Sequence, residues 1–196
     1  MFFRSGMAVF FLMALAGFAQ AQTLDTYQTG FENTGGFIPG IYNTGQYLDA
    51  LNNWQVESGT ASVQTTLIHS GQQAVEIAPL GSLDSPLSGG NSQVIWLQGV
   101  YRTTPQSEAP DISGLGPSTA LMYFDSDQGI MVYDGALSQW VAVGQMTTAD
   151  EWYRITFRLD FDSKTYDVYV GENQLAEDIG FKDRLSSYNG FRCRSG

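Results

Sequence analysis

Apolar and polar residues alternate with a period of two along most of this chain, and turn residues break the runs. The pattern predicts strands over Leu24–Glu32, Trp54–Ser58, Ala61–Leu67, Gln73–Ala78 and Val94–Thr103. Further strands are predicted over Thr119–Phe124, Ile130–Asp134, Trp140–Met146, Trp152–Phe161 and Thr165–Val170, with a last fragment at Gly190–Cys193. Trp54–Ser58 is expected to pair with Ala61–Leu67 across Gly59, and Thr119–Phe124 with Ile130–Asp134 across Asp125-Ser126-Asp127-Gln128-Gly129. Helical periodicity is almost absent, and the one short candidate is Gly45–Trp54. Pro79–Asn91 and Thr104–Ser118, rich in Gly, Ser and Pro, read as loops. Short strands at this spacing predict a sandwich or a barrel.

The segment EWYRITFRLDFDSKTYDVYVG carries the clearest alternation. Tyr153, Ile155, Phe157, Leu159 and Phe161 alternate with Trp152, Arg154, Thr156, Arg158 and Asp160, so the first set should be buried and the arginines should not. A turn at Asp162-Ser163-Lys164-Thr165 would set Phe161 opposite Tyr166, Leu159 opposite Val168 and Phe157 opposite Val170. That register would also oppose Asp160 to Asp167, and like charges directly across a ladder repel. Water, Lys164, Arg158 or a cation would have to relieve them. Arg154 and Arg158, two positions apart on the polar face, either grip an anionic sugar or neutralise neighbouring aspartates.

Composition fits strands and tight turns: 22 glycines and 13% aromatic residues against only 15% charged. The opening MFFRSGMAVFFLMALAGFAQA has an early positive charge at Arg4, an apolar run from Met7 to Phe18, and Ala19-Gln20-Ala21. This is the layout of a secretory signal cleaved after residue 21, leaving 22–196 as one domain that is secreted or periplasmic, with no membrane insertion after signal removal. The formal net charge is −11, and losing Arg4 makes it one unit more negative. A balance this acidic argues against nucleic acid as a partner and disfavours anionic lipid surfaces. Cys193 is the single cysteine, so there is no intrachain disulfide.

EWYRITFRLDFDSKTYDVYVGENQL resembles the laminin-G-like hairpin of concanavalin A-like lectin/glucanase jelly rolls, in which a Trp opens a strand and an aspartate-led turn leads into Y-x-V-Y-V. GFENTGGFIPG, W…GTASVQ and HSGQQAVEI resemble the opening of secreted bacterial domains of that kind, an opening shared with galactose-binding-like carbohydrate-binding jelly rolls. The resemblance implies an all-β, two-sheet antiparallel jelly-roll sandwich and a non-catalytic carbohydrate-binding or surface-adhesion role, the alternatives being a polysaccharide-cleaving enzyme (lyase or glycoside hydrolase) on the same fold or a structural secreted domain without a sugar ligand. Such domains continue past G-F-R-x-R-S-G into a closing strand with paired aspartates, so a sheet edge is expected to lie uncovered where this sequence stops. In some of these jelly rolls an early Glu and a late Asp share a calcium ion. Glu32 matches the early position, which makes calcium the one possible metal and Glu32 its candidate ligand.

Little catalytic chemistry accompanies this. Zinc needs three or four ligands, and His69 is the single histidine. The Glu-x-Asp-x-x-Glu signature of glucanases on this fold is missing, and Asp125 with Asp127 reads as a hairpin turn. A polysaccharide lyase on this fold would need Tyr and His with Arg and Gln. Gln98, Tyr101 and Arg102 share a strand, with Tyr101 facing the other way. No catalytic residues are therefore assigned. Sugar binding needs exposed rings beside polar groups. The ring candidates are Trp54, Trp96, Tyr101, Tyr123, Tyr133 and Trp140, with Trp140 favoured because it follows a turn. With Tyr101 and Trp140, the cations Arg102, Arg154 and Arg158 complete the candidate glycan-binding set.

Overall fold

The computed structural model describes residues 30–51, 53–86 and 92–195, so the proposed signal segment lies outside the described residues. Among the described residues the chain is all-β, with four antiparallel sheets, none closed into a barrel, and a single short 3₁₀ turn at Asn33–Gly35. Its strands are β1 (Gly40–Asn43), β2 (Gln55–Ser58), β3 (Thr60–Gln64), β4 (Ala74–Ile77), β5 (Ser82–Ser85) and β6 (Val94–Arg102). They continue with β7 (Met122–Asp125), β8 (Gly129–Asp134), β9 (Gln139–Ala142), β10 (Trp152–Asp160), β11 (Thr165–Val170), β12 (Asn173–Gly180) and β13 (Phe191–Arg194). The sheets run β1-β3-β4, β13-β5-β2, β7-β8-β9 and β12-β11-β10-β6.

Two clusters of buried side chains hold these sheets. Val56, Ala61, Val63 and Leu83 from the first two sheets join Phe37, Leu48 and Trp54. Ile130 and Val132 of β8 join Tyr153, Ile155, Phe157, Leu159, Tyr166 and Val168 of β10 and β11. Phe191 packs against both clusters. In the second cluster the Tyr166 hydroxyl donates to the Tyr133 carbonyl at 2.7 Å, tying β11 to β8.

The β10–β11 hairpin buries the residues its alternation marks: Tyr153, Ile155, Phe157 and Leu159 are at most 9% exposed, and Arg154 is exposed. Its register differs from the expected one by two positions. Asp160 pairs with Thr165, Leu159 with Tyr166, Arg158 with Asp167 and Phe157 with Val168. The turn is therefore Phe161–Lys164. The Asp160 carboxylate accepts from the Asp162 and Ser163 amides at 3.0 and 3.2 Å, and Lys164 takes φ 64°. Because side chains repeat every two residues, a shift of two keeps every face and changes only partners. Asp160 and Asp167 are consequently not opposed, and Arg158 sits between them.

Other local expectations fail for identifiable reasons. β2 and β3 are consecutive but do not pair. At Gly59, φ 65°, the chain passes from one sheet to another, with β2 on β5 and β3 between β1 and β4. Residues 30–32 form no strand, and 24–29 lie outside the described residues. The described residues of Gly45–Trp54 form no helix: Asp49 caps a turn by accepting from the Asn53 and Trp54 amides at 2.9 and 3.0 Å. Within Pro79–Asn91, read as a loop, Ser82–Ser85 forms β5, the central strand of its sheet. β1 and β12 were not foreseen at all. β13 pairs with β5, and among the described residues no strand lies on its other side.

Candidate functional site

The four-stranded sheet presents one face to the buried cluster and one outward. The outward face is built by simple parity. Trp152, Arg154, Thr156, Arg158 and Asp160 of β10 stand opposite Arg102, Val100, Gln98, Trp96 and Val94 of β6. On the other side Arg158 faces Asp167, Thr156 faces Tyr169, and Tyr169 faces Gln174 of β12. One row across the sheet therefore reads Gln98, Thr156, Tyr169, Gln174, and the next reads Trp96, Arg158, Asp167.

Trp96 is 57% exposed, far more than any other tryptophan of the described residues. Its ring lies 5.7 Å from that of Tyr169, tilted by 41°, reaching diagonally past Arg158. The exposed Trp96 ring and the half-buried Tyr169 ring together form an apolar platform on an otherwise polar face. The Gln98 amide donates to the Thr156 hydroxyl at 3.0 Å, leaving its carbonyl oxygen for another donor. Gln174 is exposed at the end of the same row.

The charges on this face are unequal in their commitments. Arg158 donates to Asp160 at 3.1 Å and to Asp167 at 3.3 Å. Backbone amides of Ser163 and Asp162, with help from Arg158, hold the Asp160 carboxyl below its usual range. Arg158 is thus the neutralising group expected among these aspartates. Arg102 pairs with Asp150 at 2.9 Å and also donates to its carbonyl. Arg154 is exposed and makes no ion pair or side-chain hydrogen bond with any described residue.

Tyr101 points to the opposite face. It lies over Gly99, where any side chain would collide with its ring, and near Phe124 at 6.3 Å. Burial raises its pKa well above the ordinary phenol value. Trp54 and Tyr123 are core residues, 7% and 8% exposed. Trp140 is half-buried on the outer side of the β7-β8-β9 sheet, edge-on to Tyr123 at 4.8 Å and Tyr133 at 5.4 Å. Neighbouring rings rather than solvent take most of its surface. The structure thus gathers Arg102, Arg154 and Arg158 of the candidate set on one face with Trp96, and sets Tyr101 and Trp140 elsewhere. Tyr169 was missed. Its parity within β11, opposite to that of Tyr166, Val168 and Val170, is the signal that could have found it.

Catalytic arrangements find little geometry. His69 is exposed and packs edge-on against Trp152 at 5.6 Å, at the Arg102 end of the face. Trp152 and Thr156, the neighbour of Tyr169, are four positions apart on β10, about 13 Å of strand. Asp125 is a buried turn residue. Its carboxylate accepts from the Asp127 and Gln128 amides at 2.8 and 2.9 Å and from the Tyr123 hydroxyl at 3.0 Å. The two amides hold its pKa below the ordinary carboxyl value, the reverse of what a general acid requires. Gly129 closes that turn at φ 79°, where a side chain would strike the Gln145 carbonyl.

Glu32 has a structural partner set. Its carboxylate accepts from the Gln72 and Gln73 amides at 2.8 and 3.3 Å, fastening residues 31–37 to the turn before β4. Among the described residues no group of three or more His, Cys, Asp or Glu side chains is placed to hold a metal ion. No protein-family model matches the chain, and no curated protein or solved structure matches it either.

Proposed function

We propose that this chain is an exported, non-catalytic carbohydrate-recognition or surface-adhesion module of the concanavalin A-like jelly-roll kind, binding its glycan on the outer face of the β12-β11-β10-β6 sheet. The observation that carries the reading is the Trp96–Tyr169 ring pair beside a row of amide and hydroxyl groups. A pyranose has apolar C–H faces and a rim of hydroxyls, so it suits a ring platform edged by the exposed amides of Gln98 and Gln174, with Thr156 buried beneath Gln98. The inward Tyr101 and the distance between His69 and Tyr169 favour binding over lyase chemistry on the same face.

The test is a glycan array on the purified protein, followed by titration of the best ligand. Trp96→Ala should weaken binding about tenfold, the worth of one sugar–ring stack. It should leave the melting temperature nearly unchanged, because the ring is exposed. Trp140→Ala should bind as the wild type does. Binding that survives Trp96→Ala intact, or an array with no ligand, would overturn the reading.

A further inference from the structure

We infer that the glycan recognised on this face is acidic, and that Arg154 is the residue that reads its carboxylate or sulfate group. This rests on the proposed binding face and adds the chemical class of its ligand. Nine lysines and arginines serve a chain with twenty Asp and Glu residues, and of the exposed arginines without an ion pair among the described residues, Arg184 and Arg194 lie off this sheet. The described cations near the face are spoken for, with one exception. Arg158 bonds two carboxylates and Arg102 bonds Asp150. Lys164, in the turn of the same hairpin, donates to the Phe161 and Leu185 carbonyls. Arg154 alone of these stands exposed without an ion pair among the described residues.

Its position matters as much as its freedom. Arg154 is two residues before Thr156 on β10, with its side chain on the same face, about 7 Å along the strand from the Gln98-Thr156-Tyr169 row. Trp96 and Arg158 lie one row beyond, on the far side. A sugar seated on Trp96 and Tyr169 would extend over Gln98 and Thr156 toward Arg154. Its neighbour across the ladder on β6 is Val100, which offers neither a competing carboxylate nor a hydrogen bond. A guanidinium in that setting donates two parallel N–H bonds to a planar carboxylate or to a sulfate. The protein's own negative charge would repel an acidic polymer at long range. Recognition must therefore come from this local contact, which added salt should weaken because Arg154 is exposed.

The experiment uses polygalacturonate, alginate, hyaluronan and chondroitin sulfate, each beside a counterpart with its carboxyl groups esterified or reduced, plus neutral glucans and galactans. Wild type, Arg154→Gln, Arg184→Gln and Trp96→Ala are titrated against each. At least one acidic polymer should bind, at least tenfold more tightly than its neutralised counterpart. Arg154→Gln should abolish that preference and leave the weaker neutral binding. Arg184→Gln, which removes an exposed arginine after β12, should change nothing. If Trp96→Ala abolishes binding but Arg154→Gln keeps the preference, or if only neutral glycans bind, the acidic assignment is overturned and the binding face stands. If no glycan binds, or binding ignores Trp96→Ala, both fall.

Discussion

Replacing Tyr166 by phenylalanine should destabilise the fold by about 2 kcal/mol, a large effect for the loss of one oxygen atom. Tyr166 is fully buried, and its ring packs against Phe157 at 5.8 Å and Phe181 at 6.4 Å. Phenylalanine keeps those contacts, so no cavity term enters. The loss is confined to the 2.7 Å hydrogen bond to the Tyr133 carbonyl. The Tyr133 amide donates to the Leu121 carbonyl just before β7 begins, but no backbone amide returns a bond to the Tyr133 carbonyl there. The Tyr166 hydroxyl fills that place. Removing it leaves a half-buried carbonyl without this donor, a cost within the range of about 1–3 kcal/mol for a lost partner of a poorly solvated acceptor. For a chain of this size, 2 kcal/mol lowers the melting temperature by about 4–8 °C. Urea unfolding followed by tryptophan fluorescence should show a lower midpoint with an unchanged slope. A variant within 0.5 kcal/mol of the wild type, as is usual for surface substitutions, would refute the assignment of this bond as the tie between β8 and β11.

Acid should unfold the protein partly through its turn aspartates. Asp125, Asp160 and Asp183 all titrate below the ordinary carboxyl value, chiefly through backbone amides, or Lys182 in the case of Asp183. A carboxyl with a depressed folded pKa stabilises fully above its unfolded value of about 3.9 and loses that contribution as pH falls through the folded pKa. Asp160→Asn keeps an oxygen for the Asp162 and Ser163 amides but has no proton to bind, so its melting temperature should fall less than the wild type's between pH 5 and pH 2; parallel curves would contradict this. At the other end of the chain, burial and the nearby Asp84 charge push the Cys193 thiol up to about 12. Cys193 is half-buried, so at pH 8 a disulfide reagent should label it more slowly in the folded protein than in urea, and equal rates would contradict this.

How much of this was legible in advance depends on whether a strand is held by its own pattern or by its neighbours. β10 announces itself because nine residues alternate cleanly and one face is buried throughout. β12, NQLAEDIG, does not. It is an edge strand whose residues are half-buried or exposed, and the free edge of β11 supplies its order. At Asp178, φ 55°, the ladder bulges and the Asp167 carboxylate accepts the Asp178 amide at 3.0 Å, a bond no periodicity reveals. β5, SLDS, fails for a different reason. Its small serines read as loop, yet Ser82 and Ser85 are buried in the middle of a sheet, and the Ser58 and Ser82 hydroxyls meet at 2.9 Å. The β2–β3 pairing failed because two strands adjacent in sequence are ordinarily neighbours in a sheet, and a glycine with positive φ let these two diverge.

The candidate site divides along the same line. That Arg154 and Arg158 face outward follows from the alternation of one strand, and the structure keeps them there. Which of the two is available does not follow from that strand, because it depends on the register with β11. With Asp160 opposite Asp167, Arg158 would stand one row, about 7 Å, from two repelling carboxylates and directly opposite neither, and Arg154 about 20 Å along the strand. The two-residue shift puts Arg158 directly opposite Asp167 and within reach of Asp160, so one arginine satisfies both acids. The other is left with nothing to neutralise. Trp96 is exposed by the parallel logic of a second register, that of β6 on β10, which aligns it with Arg158 and brings its ring against Tyr169. A face that reads in sequence as two like arginines and scattered rings is thus resolved by two strand registers into an Arg158–Asp160–Asp167 group of net charge −1, an aromatic platform and one unpaired cation on that face.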